Sequence, residues 1–407
     1  MNFLQKFGCR VYQKTMYVAS NFLPWRQPKV LDDIGGLQGL GKFVKDNELG
    51  NVLVVTGNTV KTLQPFAQML QSFDEAGVKY TVFSNVVANP TIDNVEAGVQ
   101  VYKENDCACI VAFGGGSPMD CAKAIGARIV CPNKPVQKMR GLLKIRKKLP
   151  PFIAVPTTAG SGSETTLAAV ISDATTHEKY ALNDPSLIPH YVVFEPRLLV
   201  GLPKHILATT GMDALTHAVE AYLGKANCYI TREASVRAIK LIFEFLPKAY
   251  NDDEDVESRQ IMQIASYFAG VSFTRAYVGY VHAIAHQLGG VYGTPHGLAN
   301  AVILPYVLDY YGKSIDKKLQ ELATYIGVAD KSKSVEENAE LFMKALRELG
   351  EKLNIPTKIG GIKDEDIPMM AERAYKEANP LYPVPKFMGK QELEDMYHTI
   401  KEREDEA

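Results

Sequence analysis

The sequence predicts an α/β dinucleotide-binding domain followed by an all-helical domain. Strand-like and helix-like segments alternate in the first half, and strand-like runs are scarce after residue 200. The chain also has 407 residues, more than the roughly 250–300 that one hydrophobic core usually serves. We therefore expect a parallel, Rossmann-like sheet within residues 1–202 and a helical domain over residues 203–407, with the boundary at Pro203.

The strands of the first half have short apolar patterns typical of buried strands. They are residues 51–56 (NVLVVT), 79–84 (KYTVFS), 107–113 (CACIVAF), 152–155 (FIAV) and 191–194 (YVVF). Helical patterns fall between the first of them, at residues 60–75, 92–104 and 118–128. Alternating strands and helices predict a parallel sheet with helices on both faces. Such sheets bind ligands beyond the carboxyl ends of their strands.

Composition indicates an ordinary globular protein, with 46% apolar and 22% charged residues. The 45 Lys and Arg residues balance 46 Asp and Glu residues, so we expect neither nucleic acid nor a membrane as partner. No apolar run approaches the roughly 20 residues of a membrane helix, and Lys and Arg interrupt the first 22 residues. We therefore expect a cytoplasmic protein. The six cysteines do not form a disulfide framework at this length, and Cys107 and Cys109 are interpreted as core residues.

A glycine-rich loop follows the third predicted strand, at residues 114–120 (GGGSPMD). Glycines let backbone N–H groups approach a ligand closely, and Pro118 suits the first turn of the helix that follows. A helix N-terminus presents free N–H groups and the positive end of the helix dipole to a phosphate. The loop therefore predicts phosphate binding, and the alternative is a tight strand-to-helix turn.

A second loop follows the fourth strand, at residues 156–164 (PTTAGSGSE). Its hydroxyl groups could bind phosphate or ribose. The alternative is a cluster of local turns and caps, with Ser161 or Ser163 capping a helix. Two such loops at successive strand ends favour a dinucleotide site.

Histidines cluster in two short segments of the helical half. Asp213 and His217 are four residues apart, as are His282 and His286, so each pair shares one helix face. His296 follows in a Pro-His-Gly turn. Asp213, His217, His282 and His296 would form an oxygen and nitrogen ligand set that suits Fe²⁺ or Zn²⁺. The alternative is that these histidines are satisfied core or cap residues.

Four long motifs resemble the iron-dependent (group III) alcohol dehydrogenases: GGGSPMD, PTTAGSGSE, TGMDALTHAVEAY and HAIAHQLGGVYGTPHGLANA. The resemblance covers residues 50 to 400. It implies an N-terminal dinucleotide-binding domain and an all-helical metal-binding domain, an architecture similar to that of dehydroquinate synthase. It also implies a small alcohol or aldehyde as substrate, a nicotinamide cofactor, and assembly as a homodimer or larger.

The resemblance implies a role for individual residues. It places His286 beside the nicotinamide as the residue for proton transfer and supports the four metal ligands above. The implied cofactor contacts are Asn89, Gly115, Gly116, Ser117, Asp120, Thr157, Thr158, Ser161 and Lys179. The segment that contains Phe273, Arg275 and Tyr277 lines the substrate pocket of the family.

Three features depart from the family pattern. The segment before residue 50, including LPWRQP, lies outside the common pattern. Ala88 stands where the family often has proline. Arg275 stands where asparagine is expected, which leaves the substrate class open. A cation there could read a substrate carboxylate, and the alternative is that Arg275 reaches solvent or a backbone carbonyl.

Gly57 bears on cofactor choice. The family often has aspartate at this strand end, where it holds the adenosine ribose and repels the 2′-phosphate of NADP. Glycine removes that charge, so we expect NADP(H) to be favoured over NAD(H). The alternative is that Gly57 only permits the turn.

These observations predict a metal-dependent, NAD(P)-linked alcohol dehydrogenase or aldehyde reductase. The metal would act as a Lewis acid on the substrate oxygen, and hydride would pass to or from the nicotinamide. Three alternatives remain: a lyase like dehydroquinate synthase, a non-catalytic nucleotide- or metal-binding module, and a metallohydrolase. The two nucleotide loops count against the last.

Overall fold

A computed structural model describes residues 1–174 and 178–402. Within them the chain divides into two compact units. One contains residues 24–202 and the other contains residues 1–23 and 203–407.

The described α-helices are, in chain order, α1 (Phe3–Ser20), α2 (Leu40–Asp46), α3 (Gln64–Ala76), α4 (Ile92–Glu104), α5 (Gly116–Val130), α6 (Lys204–Leu223), α7 (Tyr229–Asn251), α8 (Val256–Ala276), α9 (Tyr280–Val291), α10 (His296–Tyr311), α11 (Asp316–Tyr325), α12 (Val335–Lys352), α13 (Ile367–Ala378) and α14 (Lys390–Ile400). The described strands are β1 (Lys29–Val30), β2 (Asn51–Thr56), β3 (Tyr80–Phe83), β4 (Cys107–Gly114), β5 (Gly141–Leu142), β6 (Phe152–Pro156), β7 (Ala168–Ser172), β8 (Lys179–Asn183) and β9 (Tyr191–Val192).

The α/β unit is built on a six-stranded sheet of order β1-β9-β6-β4-β2-β3, as far as the described residues show. Every neighbouring pair in it is parallel. The five predicted strands all belong to this sheet, so the predicted parallel α/β architecture is confirmed. The apolar runs of β2, β4 and β6 are buried because helices cover the faces of a parallel sheet. Cys107 and Cys109 are buried in β4, as expected of core residues.

The parallel register brings the carboxyl ends of β2, β4 and β6 to the same edge of the sheet. Thr56 is paired with Phe113, and Gly114 with Pro156. The residues that follow these strands therefore begin at the same level of the sheet. The helix predicted over residues 118–128 is α5, which begins two residues earlier at Gly116 and has Pro118 in its first turn.

A smaller sheet of order β5-β8-β7 also belongs to the α/β unit. The sequence patterns missed its strands, and they missed the two-residue strand β1. β5 also has only two residues, and such strands are too short to show an alternating pattern. The sheet brings Lys179, at the start of β8, into the same unit as the glycine-rich loop.

The helical unit differs from the predicted division, which assigned all of residues 1–202 to the α/β domain. The structure groups residues 1–23 with the residues that follow Pro203. The physical reason lies in α1. Gln13 donates hydrogen bonds to the carbonyls of Pro380 and Tyr382, and Arg10 donates to that of Pro385. The chain passes from the α/β unit to the helical unit between Leu202 and Pro203.

In the part of the chain that the structure describes, none of the helices has both the length and the apolar character needed to cross a membrane.

Candidate active site

The helical unit brings the four predicted metal ligands together. Asp213 and His217 lie one turn apart on α6, His282 lies in the first turn of α9, and His296 is the first residue of α10. Pro295 directly precedes α10, and the glycine after His296 lets that turn approach α6. A β-carbon on Gly297 would lie 2.5 Å from the carbonyl oxygen of Thr209. The Pro-His-Gly turn thus places His296 against α6.

Distances between the ligand atoms suit one small cation. From Asp213 Oδ1 the Nε2 atoms lie 3.6 Å away for His296, 3.9 Å for His282 and 4.0 Å for His217. All four ligand atoms lie within 4.8 Å of one another. Tetrahedral ions with bonds of about 2.1 Å have ligand-to-ligand edges of about 3.4 Å, so a small contraction would complete the site. One carboxylate and three imidazoles fit Fe²⁺ or Zn²⁺.

Glu220 orients His282. One oxygen of this buried carboxylate lies 2.6 Å from His282 Nδ1, and the other accepts the backbone N–H of Val281 at 2.8 Å. An Nδ1–H bonded to the carboxylate leaves the lone pair on Nε2, the atom nearest Asp213 Oδ1. Burial lowers the pKa of His282 well below its ordinary value and so favours the neutral ring that can bind a metal. Burial raises the pKa of Glu220, while the backbone N–H groups around it favour its ionised form, which is the form that accepts from His282 Nδ1–H.

Asn300 marks the point where the ligand lone pairs converge. Its Nδ2 donates to Asp213 Oδ1 at 2.6 Å and lies 3.1 Å from His282 Nε2 and 3.2 Å from His296 Nε2. Among the described residues, its Oδ1 is buried without a hydrogen-bond partner. One NH₂ group, with two hydrogens, thus faces three acceptor atoms, and a cation would satisfy these acceptors better.

His286 lies beside the ligands and not among them. Its Nδ1 is 2.6 Å from Glu377 Oε1, and its ring stacks on that of His296 with centroids 5.2 Å apart. The side chains of His286 and His296 are 37% and 42% exposed, whereas those of Asp213, His217 and His282 are buried. The site is therefore open on the side of these two rings, where a substrate could enter.

The three predicted pocket residues lie in different surroundings. The ring of Phe273 stacks on His217, with centroids 4.0 Å apart. Arg275 donates to Asn21 Oδ1, at the end of α1, at 2.7 Å. Tyr277 ends α8 with a φ of 67°, and burial, then the neighbouring Tyr12, raises its pKa. Phe273 thus contacts one of the predicted metal ligands.

The two predicted phosphate loops meet in the α/β unit. A β-carbon on Gly115 would lie 3.1 Å from Thr158 Oγ1, and one on Gly116 would lie 3.3 Å from Ser161 Cβ. Glycine thus allows the start of α5 to approach the second loop closely. Gly115 is the N-cap of α5 and, as glycine, has no side chain that could accept from the first amides. These N–H groups and the helix dipole suit an anion.

The second loop also contains a local side-chain turn. Ser161 Oγ accepts the backbone N–H of Ser163, which begins the short 3₁₀ turn Ser163–Thr165. Thr157 is buried, and its N–H is bonded to the carbonyl of Gly114. Ser161 thus forms a local turn with Ser163, while the N-cap of the 3₁₀ segment is Gly162. This turn is compatible with a ligand role for the loop, which remains a prediction.

Three predicted cofactor residues are connected by hydrogen bonds. The backbone N–H of Asn89 lies 3.3 Å from Ser117 Oγ, and Lys179 Nζ donates to Asn89 Oδ1 at 3.0 Å. Asn89 has a φ of 57°, a conformation that asparagine tolerates better than most residues. Burial lowers the pKa of Lys179. Its ammonium group is thus held close to the start of α5.

Asp120 holds the two loops together. Its Oδ1 accepts from Ser163 Oγ at 2.8 Å, and its Oδ2 accepts the backbone N–H of Val170 at 3.0 Å. Buried Lys123, one turn along α5, donates to Ser163 Oγ at 3.0 Å and to oxygens of Thr166 and Ala168. Burial lowers the pKa of Lys123 to about 8. Both carboxylate oxygens of Asp120 are thus engaged by protein groups.

The end of β2 has space around it. A β-carbon on Gly57 would lie 3.7 Å from the carbonyl oxygen of Val86, an ordinary contact. The carbonyl of Gly57 accepts the N–H of Lys61, whose exposed ammonium group donates to Ser84 Oγ, after β3, at 3.1 Å. A cation and a hydroxyl therefore lie together beside the strand end that bears Gly57.

The sequence patterns missed several site residues. Glu220 lies three residues after His217, and Asn300 four after His296, so helical spacing could have revealed both. Glu377 and Lys123 had no such signal. Glu377 is distant in sequence from His286, and Lys123 resembled an ordinary surface lysine of an amphipathic helix.

Comparison with protein families matches both units. Residues 28–196 match the model of the iron-containing alcohol dehydrogenases, and residues 207–401 match the model of the C-terminal part of the Fe-containing alcohol dehydrogenase family. The match begins before residue 50, where the sequence resemblance was expected to start, and it leaves out α1.

Individual relatives cover most of the chain. 1,3-Propanediol dehydrogenase of Citrobacter freundii is 38% identical over 80% of this chain and 85% of its own. The solved structure of an alcohol dehydrogenase from Oenococcus oeni is 34% identical, covers 93% of this chain and 100% of its own, and has a TM-score of 0.88. A sulfoacetaldehyde reductase from Bifidobacterium kashiwanohense, solved in complex with NAD⁺, is 26% identical over 93% of this chain and 98% of its own, with a TM-score of 0.81.

Proposed function

This chain belongs to the iron-containing alcohol dehydrogenase family, and from that premise we propose how its own residues interconvert a small alcohol and its aldehyde or ketone. The chain is an oxidoreductase that acts on CH–OH groups, and its family uses a nicotinamide cofactor and a metal ion. The lyase, hydrolase and non-catalytic alternatives fit this family less well. The observation that carries the proposal is the convergence of four ligand atoms within 4.8 Å.

Asp213, His217, His282 and His296 hold the metal. When bound, the metal supplies Lewis acidity at the substrate oxygen, and the nicotinamide supplies the hydride chemistry. Glu220 fixes the His282 tautomer through Nδ1. Phe273 covers one face of the His217 ring, which restricts the ring's rotation and keeps water from that side.

His286 moves the proton. Its Nδ1–H is held by Glu377 Oε1, so Nε2 is the atom that can take up or release a proton. Gln287 and Tyr382 also donate to Glu377, which fixes this carboxylate in turn. The partly exposed ring can exchange the proton with solvent.

Two histidine variants test this assignment. His282→Ala removes a metal ligand, so both metal content and turnover should fall, whereas His286→Ala should retain the metal and lose turnover. Metal content is measured by elemental analysis. Turnover is measured with short-chain aldehydes and ketones, NADH or NADPH, and Fe²⁺ or Zn²⁺. Full metal occupancy in His282→Ala, or loss of metal in His286→Ala, would contradict these roles.

For the cofactor, we propose that the pyrophosphate binds at the N-terminus of α5, between Gly115, Gly116 and Thr158, with Lys179 providing charge. NADP(H) is proposed as the favoured form. Gly57 lacks the carboxylate that would repel a 2′-phosphate, and Lys61 with Ser84 offers a cation and a hydroxyl to bind one. The Asn89–Lys179 hydrogen bond keeps the ammonium group near the same loop.

Two further variants test cofactor choice. Gly57→Asp has room for its side chain and introduces a like charge, and Lys61→Met removes the cation. Both should raise KM for NADPH by roughly tenfold, about 1.4 kcal/mol, with little change for NADH. Lys45→Met, at the exposed end of α2, is the control and should change neither KM. If wild type prefers NADH, or if neither variant changes the cofactor ratio, the NADP proposal is wrong.

Location and assembly remain proposals as well. We propose a cytoplasmic enzyme that forms a homodimer or larger assembly. Light scattering coupled to size-exclusion chromatography measures the assembly directly, and a monomer at working concentration would contradict it.

A further inference from the structure

Helix α1 exposes a row of large apolar side chains. The side chains that point to solvent include Phe3, Leu4, Phe7, Val11 and Val18, each more than half exposed. They recur at spacings of three, four and seven residues, so they form one stripe along the helix. A helix on the surface of a globular protein normally turns such a stripe towards the core. The outer face of α1 is defined here by these five residues.

The inner face of α1 is anchored by polar contacts. Gln13 is buried and donates to the carbonyls of Pro380 and Tyr382. Arg10 donates to the carbonyl of Pro385, and its guanidinium lies 4.0 Å from the centre of the Phe387 ring. Asn2 and Gln5 form a capping box that starts the helix. The helix is therefore held in this orientation, so the apolar stripe stays outward.

The charge of this segment is of one sign. Residues 1–23 contain Lys6, Arg10 and Lys14 and no Asp or Glu, although the whole chain has a net charge of -1. Lys6 and Lys14 are exposed. Lys14 lies three residues after Val11 and four before Val18, so it shares the outer face with them, and Lys6 lies one turn after Phe3. An apolar stripe with lysines beside and within it complements a surface that is negatively charged outside and apolar beneath.

A second copy of the chain is a poorer occupant. A two-fold contact along α1 would bring Lys6 and Lys14 of both copies to the same interface, where like charges repel.

We propose that the outer face of α1 docks the enzyme onto an anionic phospholipid surface. The helix lies in the plane of the surface, with Phe3, Leu4, Phe7, Val11 and Val18 entering the boundary between headgroups and acyl chains. Lys6 and Lys14 bind headgroup phosphates. This inference differs from the expectation that no membrane is a partner, because the balanced charge of the whole chain conceals the basic character of α1.

Vesicle binding of the metal-loaded full-length enzyme tests the proposal. Wild type should sediment with vesicles of equal parts phosphatidylcholine and phosphatidylglycerol and not with phosphatidylcholine alone. The double variant Phe7→Glu/Val11→Glu should bind at least tenfold more weakly, and Lys6→Glu/Lys14→Glu should lose the preference for phosphatidylglycerol. Both pairs are on the surface, and both variants should retain the dehydrogenase activity and Tm of wild type.

Two controls separate α1 from other surfaces. Tyr229→Glu/Ile230→Glu changes exposed apolar residues at the start of α7, and Lys147→Glu/Lys148→Glu changes exposed lysines of the α/β unit. Neither should weaken binding. Binding that is equal on both vesicle types, that survives Phe7→Glu/Val11→Glu, or that is lost in the Lys147→Glu/Lys148→Glu control would overturn the proposal. The proposal would also be overturned if wild type did not bind either vesicle type and Phe7→Glu/Val11→Glu formed a smaller oligomer than wild type. The outer face of α1 would then bind a second copy of the chain.

Discussion

Glu220→Gln should weaken metal binding although Glu220 is not a ligand. Glutamine keeps one oxygen but replaces the other with an NH₂ group. The backbone N–H of Val281 can only donate, so it retains the oxygen. The NH₂ group then faces His282 Nδ1, which must accept, and the ring proton moves to Nε2. That is the atom needed for the metal.

The expected loss is about 10–100-fold in metal affinity, or about 1.4–2.7 kcal/mol, as found for partners of metal-bound histidines. It is measured by titrating the metal-free protein with Zn²⁺ in competition with a chelator. Glu321→Gln is the matched control, since Glu321 pairs with Arg232 and Tyr222 on the same helical unit. Equal Zn²⁺ affinity in Glu220→Gln and wild type, with both proteins folded by circular dichroism, would refute the tautomer argument.

Two further predictions concern Arg275 and Lys123. If Arg275 reads a substrate carboxylate, Arg275→Ala should lower kcat/KM for succinic semialdehyde relative to butanal by roughly 10–100-fold, the value of a charge-assisted hydrogen bond. Asn21→Ala, which removes only the partner at the end of α1, should leave that ratio unchanged, and an unchanged ratio in both variants would exclude the role. Lys123→Met leaves buried acceptors such as Ser163 Oγ without their donor, so it should cost about 3 kcal/mol in urea unfolding of the α/β unit and raise KM for the cofactor. Lys134→Met, which loses one exposed hydrogen bond, should change neither, and a stable Lys123→Met with normal KM would contradict the account.

Much of the fold could be predicted because its signals are local. The apolar runs of β2, β4 and β6 are continuous, as parallel strands buried on both faces require. Asp213 and His217 were found because one helical turn places side chains four residues apart on one face. The strands β1 and β5 escaped because two residues carry no pattern.

Partners of the site residues were harder to predict because they depend on packing between distant segments. Glu377 meets His286 only when α13 packs against α9. Lys123 resembles a surface residue until the oxygens of Thr166 and Ala168 enclose its ammonium group. The orientation of α1 depends on contacts of the same kind, because Arg10 and Gln13 donate to carbonyls within residues 380–385.

The sequence by itself determined the parallel α/β unit, the helical unit, the two glycine- and hydroxyl-rich loops and the four candidate ligands, because spacing along a strand or helix determines which side chains share a face. Only the tertiary structure decided that the four ligand atoms converge, that Glu220 and Glu377 orient the histidines, and that α1 belongs to the helical unit with its apolar stripe outward. These features depend on contacts between residues that are far apart in the chain. They form only when the helices pack together, because the backbone carbonyls and buried charged groups of one helix are then hydrogen-bonded by side chains of another.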